Sequence, residues 1–344
     1  MTAPDADQNP ATGWSVSARA QGKVNLHLSV GQRRADGYHD LETVFQSLDL
    51  AETVTLTVVG ETGPAADPAA DPAADPAGTG GLIESVTVTG RDAHLVPAGG
   101  RSGDIAANLA VRGVLAVAAG LPGPLPRVRI TIDKGVPVAG GMAGGSADAA
   151  AALVAARETF GTRHTDDDLA ALGAGIGSDV PFCLLGGTAL GRGRGEQLVP
   201  VMSRGTFHWA LATDSRGLST PEVFDRLDTQ RADAAAGGRP DVRTGGPTAV
   251  QRALLGGDPE ELAGCLANDL QAAALSLRPE LRRTLAASRE AGALGAVVSG
   301  SGPTVAMLCR DRDHAVDVAT AVAASGHAGS TLVAASSPHG ARVG

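Results

Sequence analysis

The stretch "PVAGGMAGGSADAA" sets Gly140, Gly141, Gly144 and Gly145 close together, follows them with Ser146 and runs on into alanine. Glycine lets a backbone curl and approach a ligand with no side chain in the way, and the free amides of a following helix attract phosphate oxygens. Phosphate binding is one chemistry open to this loop; a flexible connector in a chain rich in glycine and alanine is the other. The spacing matches neither the nucleotide loop ending in Gly-Lys-Ser/Thr nor the three-glycine dinucleotide fingerprint. A second small-residue turn, Gly300, Ser301 and Gly302, lies in "VVSGSGPT", and the only tyrosine of the chain, Tyr38, lies in "DGYH".

Local pattern predicts the elements that carry these residues. Strand "RVRITIDK" enters the glycine loop, stopped by Gly135 and Pro137, and a helix leaves it. "VSARAQGKVNLHLSV" alternates around a central turn, and "ADG" marks the turn before the next strand. "ESVTVTG" reads as a strand and "DIAANLAVRGVLAVAAG" as a helix, while Thr165 with Asp168 caps another helix. "GSDVPFCLLGGTALGRG" reads as a turn and two short apolar strands joined at Gly186 and Gly187. Beyond Pro200, "FHWALAT" is a strand, helices cover 219–292, and "GAVVSGSGPTVAMLC" is a strand pair around a glycine turn. "HAVDVATAVAASG" and "STLVAAS" add a helix and a final strand. The expected division is an N-terminal domain at 14–200 and a C-terminal one at 201–340. The repeated "PAADPAADPAADPAG" makes 60–81 a solvated, disordered insertion.

Composition limits the function. At 344 residues with 43% hydrophobic and 19% charged, the chain can bury one or two cores. A net charge of -9 argues against general nucleic-acid affinity but leaves room for a local basic pocket for a small anion. No apolar run long enough to cross a membrane and no secretion signal is seen, so the expected location is the cytoplasm, with no membrane partner. Cys183, Cys265 and Cys309 lie far apart and match no metal-ligand spacing, which suits buried free thiols.

Three stretches, "GKVNLHLSVGQRRADGYHDLETVFQSLDL", "PVAGGMAGGSADAA" with "GIGSDVPF", and "VVSGSGPT", occur in this order and together resemble the motifs of the galactokinase, homoserine kinase, mevalonate kinase and phosphomevalonate kinase (GHMP) superfamily. The resemblance covers nearly all of the chain from about Ala18. "KVNLHL", "RADGYH", "LSTPEVF" and "NDLQAAALSLRPEL" resemble, within it, the kinases of the non-mevalonate isoprenoid route that phosphorylate the 2-hydroxyl of 4-diphosphocytidyl-2-C-methyl-D-erythritol. The relatives acting on mevalonate, homoserine or sugars, and a catalytically silent nucleotide-binding module, are the alternatives.

The resemblance implies an α+β, two-domain fold: an N-terminal domain like domain 2 of ribosomal protein S5, a ferredoxin-like C-terminal domain and an active site in the cleft between them. It implies ATP as phosphoryl donor, Mg2+ accompanying it, a cytidine diphosphate-linked acceptor, and a monomer or weak homodimer. It makes Asp179 the general base and Lys23 the cation that orients the acceptor hydroxyl. Taken alone, Asp179 after Gly177 and Ser178 is an ordinary turn aspartate. Lys134, Pro137, Val138, Ala139, Gly140, Gly141, Met142, Ala143, Gly144, Gly145, Ser146 and Ala147 are the implied ATP site; an exposed strand-end lysine is the other reading of Lys134. A cytosine ring needs a flat partner. Tyr38 and Phe224 are the implied sandwich, His39 supplies hydrogen bonds, and Asn25 and Thr220 meet the diphosphate or erythritol part. Phe224 also suits a helix core, His39 a surface and Asn25 a turn. The chain departs from the family at Gly22, usually alanine, which predicts a looser seat for Lys23, and at Ala147 and Asp148, often serine and asparagine. No carboxylate cluster identifies metal ligands.

Overall fold

A computed structural model of the chain describes residues 13–61, 81–96, 105–138, 140–238 and 244–344. Ala139 and positions 62–80 of the expected insertion lie outside the described residues. Strand β1 (Ser15–Arg33) and β2 (His39–Glu61) form one long antiparallel hairpin, so Gly60 and Glu61 belong to a strand rather than to the insertion. Gly37, at φ 85°, turns the chain between them. The turn expected in the middle of "VSARAQGKVNLHLSV" is absent. The strand runs through, with register shifts between Gln21 and Lys23 and between Asn25 and His27.

Next come β3 (Ile83–Gly90), α1 (Leu109–Ala118), β4 (Pro126–Lys134), α2 (Gly144–Thr159), α3 (Asp166–Ile176), α4 (Val180–Leu185), β5 (Thr188–Arg192) and β6 (Gln197–Pro200). α3 begins with the expected capping box, in which Thr165 and Asp168 satisfy each other's backbone amides. α4 corrects the first of the two strands expected in "VPFCLLGGTALG"; the second is β5. A six-residue apolar run does not distinguish helix from strand by periodicity, and here Pro181, which fits a first helical turn, and Gly186, at φ 71°, bound a helix.

The second half contributes β7 (His208–Thr213), α5 (Thr220–Ala236), α6 (Thr248–Gly256), α7 (Pro259–Ala263), β8 (Ala267–Asn268), α8 (Gln271–Leu277), α9 (Leu281–Glu290), β9 (Gly295–Val298), β10 (Val305–Cys309), α10 (Arg312–Ala324), β11 (Ser330–Ala335) and β12 (Arg342–Val343). Antiparallel β11, β7, β10 and β9, in that order, make a second sheet. The first sheet runs β12, β1, β2, β4, β3, with β5 paired to β2 and β6 to β5. β8 joins it parallel to β1, so two short strands from the second half complete the first sheet.

β1 ties the cores together. Ala18 and Ala20 pack with α1, α2, α3 and α4; Val24 and Leu26 pack against Trp209, Leu211 and Ala306 of the second sheet; Leu28 and Val30 reach the cluster under α9 and α10. Side chains alternate across a strand, so while these even-numbered residues are in core, Lys23 and Asn25 share the opposite face. α2 is buried on nearly every side, which its alanines permit. A Cβ on Gly113 of α1 would lie 2.9 Å from the Ala149 carbonyl oxygen, so glycine sets how closely the two helices approach.

Candidate active site

Lys23 is 4% exposed, yet its ammonium has a full set of partners. It donates to Asn25 Oδ1 at 2.8 Å and to the Gly141 carbonyl at 2.9 Å, and lies 3.6 Å from Asp179 Oδ2. The Phe45 ring centroid is 5.6 Å away. Asn25 is oriented in turn: its Nδ2 donates to Thr43 Oγ1 at 2.8 Å, and that hydroxyl donates to the His27 carbonyl. Asp179 stands immediately before α4 with its carboxylate partly open to solvent. The tertiary fold thus joins a lysine and an aspartate far apart in sequence and leaves one carboxylate facing out beside a buried cation.

The glycine loop docks on the same lysine. Lys23 N–H donates to the Met142 carbonyl at 3.0 Å, and Ser299 Oγ donates to the Gly141 carbonyl at 3.2 Å. Gly22 does not loosen this arrangement, because the space an alanine Cβ would take is filled by Val136, 2.9 Å away. Pro137, Met142 and Ala147 are buried, and Met142 is part of the core, so these side chains are scaffold beneath the loop; Val138 is half-buried. Ala143, at φ 61°, leads into α2 without any side-chain cap. The first amides of a sixteen-residue helix, at Gly144, Gly145 and Ser146, are therefore free of a side-chain cap, and Gly145 is exposed. An anion fits here. The Ser146 hydroxyl turns toward the Gly177 to Asp179 segment, 3.9 Å from where a Gly177 Cβ would be.

The second small-residue turn closes over this group. Gly300, at φ 56°, leaves only 3.4 Å between a Cβ and Lys23 Nζ and 3.2 Å to Asn25 Oδ1. Its carbonyl and that of Val298 accept from Asn268 Nδ2 at 2.7 and 2.8 Å, and Val298 N–H donates to Gln271 Oε1. Asn268 and Gln271 belong to "NDLQAAALSLRPEL", a stretch legible in the sequence without any sign of what it holds.

Lys134 departs from expectation. Its ammonium is not turned toward the loop's outer face but sits 2.7 Å from Glu52 Oε1 and 2.5 Å from Asp148 Oδ2, with its side chain 3% exposed. An ATP contact would require it to leave two buried carboxylates. Glu52 escaped the sequence reading, although its position carries a signal: on β2 it shares the inward face with Val54, Leu56 and Val58, where a carboxylate is out of place.

Beside Asp179 opens a cavity of about 500 Å3 lined by Tyr38, His39, Gly175, Ser178, Arg194, Thr220 and Phe224, among others. Tyr38 is 54% exposed, with the Arg194 guanidinium 5.2 Å from its ring centroid. Phe224 stacks on His39 at 5.0 Å between centroids, and His39 Nε2 pairs with Asp228 Oδ1 at 2.9 Å. Four of the five residues expected on the acceptor side thus line one cavity. The fifth, Asn25, lies with Lys23. Thr220 Oγ1 is 2.8 Å from Ser301 Oγ, which links the cavity to the glycine turn. One face of Phe224 is already taken by His39, and Arg194 had not been singled out. Among the described residues no group of three His, Cys, Asp or Glu side chains is placed to hold a metal, and no helix is long and apolar enough to cross a membrane.

Two family models match: GHMP kinases N terminal domain over residues 108–187 and GHMP kinases C terminal over 250–328. The chain is 54% identical over 335 residues to a 4-diphosphocytidyl-2-C-methyl-D-erythritol kinase of Corynebacterium jeikeium, covering 94% of this chain and 92% of the relative. It is 48% identical to the kinase of the same name from Mycolicibacterium smegmatis, covering 100% and 98%. Its structure resembles a crystal structure of 4-(cytidine 5'-diphospho)-2C-methyl-D-erythritol kinase at TM-score 0.67 and 29% identity, covering 93% of this chain and 98% of that one.

Proposed function

The chain belongs to the 4-diphosphocytidyl-2-C-methyl-D-erythritol kinases of the GHMP superfamily, and on that premise we propose which of its residues carry out the reaction. The reaction is ATP-dependent phosphorylation of the 2-hydroxyl of 4-diphosphocytidyl-2-C-methyl-D-erythritol, giving its 2-phosphate and ADP. The observation that carries the assignment is Lys23 Nζ at 3.6 Å from Asp179 Oδ2, with both groups beside the glycine loop and the cavity.

In this reading Asp179 accepts the proton of the 2-hydroxyl as its oxygen forms a bond to the γ-phosphorus. The bond from that phosphorus to the bridging oxygen breaks, and its electron pair leaves with ADP. Lys23 faces the reacting oxygens with its ammonium already held by Asn25 and Gly141, so little reorganisation accompanies charge development. The free amides at the start of α2 and the Ser146 hydroxyl hold the triphosphate. Ser146, which faces the Asp179 segment, is the loop side chain that would hold a Mg2+ bound with the nucleotide, and such an ion would supply neutralisation of phosphate charge. Tyr38 stacks on the cytosine, the His39 and Phe224 pair forms the opposite wall, and Thr220 with Arg194 meets the diphosphate.

The test is ADP release by the purified chain with this acceptor, mevalonate and homoserine offered in turn. Turnover confined to the cytidylylated acceptor is expected. Equal turnover of mevalonate or homoserine would refute the assignment of the cavity.

A further inference from the structure

Besides its contacts to Lys23 and Ser299, the glycine loop has its two ends tied together from below by one ionic group. Lys134 ends the strand that enters it, Asp148 lies in the helix that leaves it, and Glu52 comes from the neighbouring strand. The Lys134 ammonium bridges both carboxylates, at 2.7 Å to Glu52 Oε1 and 2.5 Å to Asp148 Oδ2. The other Glu52 oxygen accepts the N–H of Gly135, the first residue past the strand, at 2.9 Å. A Cβ on Gly144 would lie 2.9 Å from Glu52 Oε1, so this carboxylate also lies directly beneath the first residue of α2.

We propose that Glu52, Lys134 and Asp148 are positioning residues for ATP: a buried ionic clasp that fixes the backbone of the phosphate loop and governs nucleotide affinity without touching the nucleotide. The proposal rests on the reading of residues 137–147 as the phosphate loop. Burying ionisable groups incurs a desolvation penalty of several kcal/mol for each that stays charged, and well-packed apolar side chains usually hold a fold together as well or better. What such side chains cannot do is direct an N–H and two chain ends to one point, because only hydrogen bonds and ion pairs carry that direction. With the entrance at Gly135 and the exit at Asp148 both fixed, the intervening glycines have little freedom left to lose when phosphate binds, which favours binding. Cys183 of α4 is another titratable group influenced by Glu52 and Asp148; burial pushes its thiol up, so it adds no charge.

The test is steady-state ADP release by the full-length chain, with KM for ATP and for the acceptor measured separately. Asp148→Ala removes an acceptor from Lys134 and should raise KM for ATP about tenfold, leaving KM for the acceptor within twofold. Asp148→Asn keeps an oxygen for Lys134, and places its amide where Oδ1 now lacks a partner, so it should restore KM for ATP to within threefold of the unaltered chain. Should the alanine variant not fold, the combined Glu52→Gln, Lys134→Met and Asp148→Asn variant removes every buried charge while keeping shape, and the same selective rise is expected. Parallel changes in both KM values, or an unchanged KM for ATP in Asp148→Ala, would overturn the clasp. A rise in KM for ATP from Lys134→Met alone, with Glu52→Ala and Asp148→Ala silent, would instead make Lys134 a direct contact. Gly145→Val is the control: if it too leaves KM for ATP unchanged, the loop assignment itself fails.

Discussion

Replacing Tyr38 by alanine is the cleanest probe of the proposed acceptor site, because the exposed ring can be removed without disturbing the core. The ring is 54% exposed, its ring partner among the described residues is the Arg194 guanidinium, and it lies at the end of a turn that Gly37 and Asp36 organise through their own backbone and carboxylate contacts. Losing it removes no core contact, so stability should change by no more than about 0.5 kcal/mol. Binding should change far more. Stacking of a base on an aromatic side chain is worth about 1–3 kcal/mol. That converts to a rise in KM for the cytidylylated acceptor of roughly 5- to 150-fold. Tyr38→Phe keeps the ring and should retain most of the affinity. KM for ATP, whose proposed site is at the start of α2, should remain within twofold in both variants. The assay is coupled ADP release with each substrate varied in turn, and calorimetric titration with CDP as an independent measure of binding. An unchanged acceptor KM in Tyr38→Ala would refute the stacking argument, as would an equal rise for ATP.

Asp179→Asn should lower kcat by about 10²- to 10⁴-fold with both KM values nearly unchanged, since the amide keeps the shape and an oxygen facing Lys23 but cannot take up the proton in the proposed mechanism. Normal turnover would exclude it as the base. Gly145→Val should raise KM for ATP selectively: Gly145 is exposed, and the added Cβ would meet only Leu109 Cδ1 at 3.2 Å. Gly144 serves less well, because a side chain there also strikes Glu52. The pH dependence of stability follows from the clasp. Burial first, and the charge of Asp148 second, push the Glu52 carboxyl up to about 8, while burial pushes Asp148 up to about 6. Both groups hold protons more tightly in the folded chain than in the unfolded one, so stability is fully present below their unfolded values near 4 and is lost as pH rises toward 8. The melting temperature should fall by a few degrees between pH 6 and pH 8.5, and Glu52→Gln should flatten that slope; a melting temperature that rises over this range would contradict it.

Part of the proposed site was legible in residue types and local pattern. The glycines of 140–145 mark a backbone open to a ligand, and a lone tyrosine after a tight turn offers a stacking surface; that Lys23 and Asn25 share one strand face emerged only when the expected central turn proved to be continuous strand. The first two features depend on covalent geometry and near neighbours, which any chain carries with it when it folds. The resemblance of ordered motifs supplied the reaction, since no spacing rule links Lys23 to Asp179.

Other features were decided only in three dimensions. The stretch after Asp179 is a helix because Pro181 and Gly186 bound it and the surrounding core accepts it, a choice that a short apolar run leaves open. Gly22 looked like slack and is instead packed against Val136, and the partners of Lys23 include a backbone carbonyl, Gly141, that no side-chain pattern announces. Lys134 is the sharpest case. Its place just before the loop suggested a hand on ATP, whereas burial turned it inward to Glu52 and Asp148. A lysine at a strand end can face solvent, ligand or core, and the choice depends on where the fold brings uncompensated carboxylates. Sequence specifies which charges exist and which face of an element bears them; only the folded chain determines which of them meet, because a buried charge must find its partner there or not be buried at all.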